Sequence, residues 1–111
     1  MDVVPMFPSC ALDEAGLRKQ YERYREVGVG ARVLERRRRR LTVDLDQQVD
    51  PKLVAELLAV ERECCPFLEL GWEQSERRLT AAVSRTEHEP ALDAIAFALG
   101  LKGPLQSAAS D

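Results

Sequence analysis

Two adjacent cysteines, Cys64 and Cys65, follow Glu61 at distances of three and four residues, and Pro66 and Phe67 come directly after them. On a helix those two spacings bring side chains together, so one carboxylate can reach both thiols. Such a set supports two kinds of chemistry. Deprotonated sulfurs can bind a soft cation, or one sulfur can attack a thiol, disulfide or carbon–metal bond while Glu61 transfers the proton.

The helix that carries these residues is predicted to start at Asp50, an N-cap followed by Pro51 at the first helical position, and to stop near Cys64 because Pro66 disfavours helical backbone before it. Its apolar positions are Leu53, Val54, Leu57 and Leu58, and at 100° per residue Glu61 falls on the same stripe. A carboxylate there conflicts with the binary pattern. Burial without a partner costs several kcal/mol or removes the charge, so Glu61 must face a cleft or be matched by another group.

Electrostatics separates the two chemistries. A helix C-terminus presents roughly half a negative charge, and the carboxylate adds to it, so both oppose a pre-formed thiolate. A soft cation reverses that balance and leaves Glu61 to take a thiol proton. Cys10 would supply a third sulfur if the N-terminal arm folds over this helix end. The candidate metal ligands are therefore Cys10, Cys64, Cys65 and Glu61, a set that suits mercuric, cuprous or arsenite ions, or zinc if Glu61 or His88 joins the sulfurs. A disulfide from Cys10 to either neighbour is the redox alternative. Core packing is the competing explanation of the pair, because cysteine is among the most buried residue types. It does not account for Glu61.

Arg36, Arg37, Arg38, Arg39 and Arg40 form the other conspicuous group. Guanidinium groups bind phosphate and carboxylate well, which makes the run a candidate anion site and a possible basis for an interaction or regulatory module. The competing reading is a solvated turn, since no aromatic or glycine interleaves the run. Tyr21 and Tyr24 share a helix face with Leu17 and are expected in the core, as is Trp72, while His88 is expected in solvent.

Around these groups the pattern predicts seven elements. Asp13 caps a helix running to about Val27, and Gly28 and Gly30 end it. Strands follow from Arg32 to Arg36, around Val33 and Leu34, and from Leu41 to Leu45, then the Asp50 helix. Leu68, Leu70 and Trp72 alternate before a polar turn at Gln74 to Arg77, and Leu79, Ala81 and Val83 alternate after it. Pro90 opens a last helix, with Gly100 as its stop. The order α-β-β-α-β-β-α predicts an α+β fold: one four-stranded, mostly antiparallel sheet with helices on one face. Residues 1–9 read as an extended arm, 10–100 as a single domain and 101–111 as a flexible tail.

The 111 residues suffice for one domain, which excludes a two-domain enzyme. The net charge of −3 disfavours a general nucleic-acid binder. With 3 cysteines and 1 histidine, a secreted disulfide framework and most hydrolytic zinc sites are poor explanations. No stretch approaches the ~18 apolar residues of a membrane span, and MDVVPMFPSC lacks the basic lead and apolar core of a secretory signal. A cytoplasmic protein with no membrane partner and no organic cofactor is expected. A homodimer is compatible with the pattern.

The stretch LLAVERECCPFLEL, together with SCALDEAGLRKQYERYREV, resembles a family of small, functionally unassigned bacterial cytosolic proteins with an N-terminal Cys-x-Leu and an ECCPF-type motif. The likeness spans about residues 9–99 and picks out Cys10, Glu61, Cys64, Cys65, Pro66 and Phe67. It implies a connection to mercury or other heavy-metal resistance. The arginine run departs from the mixed hairpin turn of that pattern. The leading expectation is a small thiol protein that binds a soft metal or metalloid ion, its partner being the ion or another small thiol-reactive ligand. A thiol-dependent enzyme or redox protein using Glu61 as acid and base, and a module working through Arg36–Arg40, are the alternatives.

Overall fold

The computed structural model describes residues 13–101. The arm, Cys10 and the residues after Leu101 lie outside that range. The element order is α1 (Glu14–Val27), β1 (Arg32–Arg37), β2 (Arg40–Asp44), α2 (Pro51–Cys64), β3 (Glu69–Glu73), β4 (Arg78–Ala82) and α3 (Glu89–Leu99), with short 3-10 turns at Gln74–Glu76 and Thr86–His88. This is the expected α+β order.

Each helix begins where its capping chemistry dictates. Asp13 Oδ1 accepts from the Gly16 amide at 2.8 Å, and Asp50 Oδ1 accepts from the Lys52 amide at 2.9 Å. α3 has a proline in its first turn and ends at Gly100, whose φ of 82° favours glycine. At the end of α1 the requirement for glycine is spatial. Gly28 has an ordinary φ of −83°, but a Cβ there would lie 1.9 Å from the Leu99 carbonyl oxygen, so Gly28 lets the ends of α1 and α3 meet.

The two hairpins join into one antiparallel sheet of order β1-β2-β4-β3. Leu41, Val43, Leu79 and Ala81 alternate onto one face and share a single core cluster with Tyr24 and Val27 of α1, Val54, Leu57 and Leu58 of α2, and Leu92, Ile95 and Leu99 of α3. The other face carries Arg32, Asp44, Arg78 and Glu73 in one cross-strand row and Arg37, Arg40, Ala82 and Glu69 in another.

An irregularity between Val33 and Glu35 shifts the register of β1. Val33 pairs with Val43 and Arg36 with Leu41, so both belong to the helix-facing side, whereas Leu34 is exposed. One inserted residue thus turns a single arginine of the run inward. No helix among the described residues is long and apolar enough to cross a membrane.

Candidate functional site

Glu61 lies on the last turn of α2 with 0 % of its surface exposed. The stripe that buries Leu57 and Leu58 carries the carboxylate into the contact between α2 and α1, where it meets Gln20, itself 2 % exposed. Gln20 Nε2 donates to Glu61 Oε1 at 2.8 Å and to the Leu57 carbonyl at 3.1 Å. Gln20 Oε1 accepts from Arg23 at 2.8 Å. Because a guanidinium can only donate, this arrangement fixes which end of the amide faces Glu61. Arg23 continues outward to Glu56 at 3.8 Å.

Burial holds the Glu61 carboxyl above its ordinary pKa. Hydrogen bonding by Gln20, then Tyr24, then Cys65 favours the ionised form, yet the loss of water outweighs all three. Oε2 is buried and lacks a hydrogen bond of good geometry. The result is a carboxyl group with unusual affinity for a proton, in contact with a thiol.

Cys65 caps α2: its amide donates to the Glu61 carbonyl at 2.7 Å and its carbonyl accepts from Leu68 at 2.9 Å. These bonds turn the chain from α2 into β3 and hold the thiol beside Glu61. Cys64 and Cys65 are not joined in a disulfide and are buried, at 6 % and 2 % exposure. Of the two spacings that can reach the carboxylate, only the four-residue one places a thiol among the groups acting on Glu61. Both cysteines belong to the core cluster.

Pro66 is exposed, and the half-buried Phe67 stacks on His88 with ring centroids 4.0 Å apart. His88 therefore departs from its expected place in solvent: the Thr86–His88 turn lays its ring on the CCPF segment, with Nδ1 buried and without a hydrogen-bond partner. Cys10 lies outside the described residues. Among the described residues, no three His, Cys, Asp or Glu side chains gather into a group that could hold a metal ion.

The arginine run divides. Arg36 bonds Asp93 of α3 at 2.7 Å with its side chain 9 % exposed, and it also donates to the Arg37 and Arg38 carbonyls. Arg37, Arg38, Arg39 and Arg40 are exposed and line an open cleft of about 520 Å³. Tyr24 is in the core, and Tyr21 and Trp72 pack against it half-buried.

Sequence reasoning missed Gln20 and Arg77. Gln20 occupies the same face of α1 as Leu17, Tyr24 and Val27, so the pattern conflict that exposes Glu61 also marks its partner. Arg77 takes a left-handed backbone, with φ 56°, and donates to the Asp46 and Val49 carbonyls at 2.8 and 2.5 Å, a role without a local signature. Set beside known proteins, the chain matches no protein family, no curated sequence and no solved structure.

Proposed function

We propose that the protein captures a soft metal or metalloid ion through the sulfurs of Cys64 and Cys65, with Cys10 as third donor and Glu61 as the acceptor of a thiol proton. The supporting observation is the pairing of Glu61 with Cys65: the carboxyl whose proton affinity is raised by burial is in contact with the thiol that must lose a proton. A thiol binds a metal only as thiolate, and its ionisation at a helix C-terminus needs a nearby base.

For mercuric ion, sulfur–metal bonds form to Cys64, Cys65 and Cys10 as three thiol protons leave. One proton passes from Cys65 to ionised Glu61, the other two go to solvent, and no oxidation state changes. Free thiols of this kind suit a reducing, cytoplasmic setting. Soft ions are favoured because thiolates are soft ligands.

Anaerobic native mass spectrometry of the reduced chain, titrated with mercuric, cuprous, arsenite and zinc ions, tests the reading. The expected result is a one-to-one adduct with at least one of the first three ions, lost in Cys64→Ser/Cys65→Ser and weakened in Cys10→Ser. Failure of all four ions to bind, or binding retained by the double variant, would overturn it.

A further inference from the structure

The open face of the sheet is charged very differently at its two ends. At one end the row Arg32, Asp44, Arg78, Glu73 alternates in sign from strand to strand. Each charge there has an opposite neighbour, and Arg32 reaches Asp44 at 3.4 Å. At the other end the row reads Arg37, Arg40, Ala82, Glu69. Two arginines lie directly across from each other, an arrangement that destabilises an antiparallel pair. Ala82 separates Arg40 from Glu69 by two strand spacings, about 10 Å, and Arg37 lies one strand further away.

The turn residues add Arg38 and Arg39 above this row, and four guanidinium groups with one carboxylate, Glu69, line the cleft whose floor is Ala82 and Val83. Arg39 is partly engaged, by the Ser84 carbonyl at 3.2 Å and Glu89 at 3.9 Å. Arg37 bonds Glu35 at 2.7 Å, and this bond, with the charges of Arg37 and Arg40, lowers the Glu35 pKa despite some desolvation. Neither Arg38 nor Arg40 forms a salt bridge with any other described residue. Arg36 takes no part, being held beneath the sheet by Asp93.

We propose that this end of the sheet binds the phosphate or pyrophosphate group of a small molecule, held by Arg38 and Arg40 over Ala82. Guanidinium forks match phosphate oxygens in pairs, and Arg38 and Arg40, with no salt bridge to another described residue, leave positive charge at this end for a multiply charged anion. The size of the cleft is that of a small-molecule site. Its lining contains no aromatic ring on which a base could stack, and the chain is acidic overall, which together disfavour a nucleic-acid strand. The inference is independent of the thiol site.

Calorimetric titration of the full chain with inorganic phosphate and with pyrophosphate, at low ionic strength, tests it. The single variants Arg38→Gln and Arg32→Gln and the double variant Arg38→Gln/Arg40→Gln are run in parallel. The expected result is saturable one-to-one binding of pyrophosphate, weakened about tenfold or more in the double variant and partly in Arg38→Gln. Arg32→Gln, in the self-neutralised row, should bind as the unmodified chain does. Absence of saturable binding, or equal loss in Arg32→Gln, would overturn the site. Tighter binding of a short single-stranded oligonucleotide than of pyrophosphate would overturn the small-molecule assignment.

Discussion

Gln20 and Glu61 lie 41 positions apart in the sequence and meet in a 2.8 Å hydrogen bond between side chains that are 2 % and 0 % exposed. The contact joins α1 to α2 and leaves Glu61 with one oxygen bonded and the other buried without a good partner. A core built for stability alone would place apolar residues at both positions, because a half-satisfied polar pair is worse than a packed one. The arrangement instead buries a carboxyl of raised pKa next to Cys65.

Glu61 should make stability depend on pH in an unusual direction. Its folded pKa lies above the unfolded value because burial disfavours the charge. The contribution to stability is then fully present below the unfolded pKa, near the ordinary glutamate value, and is lost as pH rises through the raised folded value. Glu61→Gln removes that loss. Urea denaturation across this pH range should show the unmodified chain falling relative to the variant, with a slope of at most about 1.4 kcal/mol per pH unit for one proton. A constant difference between the two would mean that Glu61 titrates normally.

Gln20→Ala removes the donor to Glu61 Oε1 and to the Leu57 carbonyl. The Leu57 carbonyl keeps its helical partner, but Glu61 Oε1 loses its Gln20 donor, at a cost of about 1–3 kcal/mol when Glu61 is ionised. The loss should shrink at acidic pH, and the fall of stability with rising pH, which starts at the unfolded pKa, should extend to higher pH, since the bond that favours the ionised carboxyl is gone. Thermal melts of the variant at two pH values read both effects.

Cys64 and Cys65 should be alkylated slowly by iodoacetamide in native buffer, because both are buried, and mercuric ion bound to the pair should slow the modification of both further. Iodoacetamide labelling followed by peptide mapping, with and without urea and with and without mercuric ion, measures this for each cysteine separately. Rapid modification of the pair without denaturant would contradict the burial.

Gly28→Ala should be destabilising although the backbone angle suits alanine. The added methyl would meet the Leu99 backbone, which cannot rotate away, and overpacking of this kind costs about 1–3 kcal/mol. A chemical denaturation midpoint equal to that of the unmodified chain would show that α1 and α3 are not so closely joined.

Local rules account for most of the fold. Asp13, the Asp50–Pro51 pair, Pro90 and Gly100 each act within one helical turn, and the alternation of Leu41, Val43, Leu79 and Ala81 sets the buried face, so these elements were legible without long-range information. Glu61 was legible for the same reason, as a charge on an apolar stripe. Its partner required the same test on α1, where Gln20 has the weaker polar signal of an amide. The shift between Val33 and Glu35, which sends Arg36 inward, depends on pairing with β2, and the stacking of His88 on Phe67 depends on the descent of the chain from β4 to α3. Neither leaves a pattern in its own segment.

The central claim, that Glu61 receives a proton from a thiol as the ion is captured, is tested most directly by stopped-flow absorbance of the mercury–thiolate band. The unmodified chain and Glu61→Gln are compared as functions of pH. The account predicts that the unmodified chain captures mercuric ion faster as pH rises through the raised Glu61 pKa. Glu61→Gln should lose that limb and react slower by about a hundredfold, while still binding one ion. Equal rates and equal pH profiles in the two proteins would contradict it.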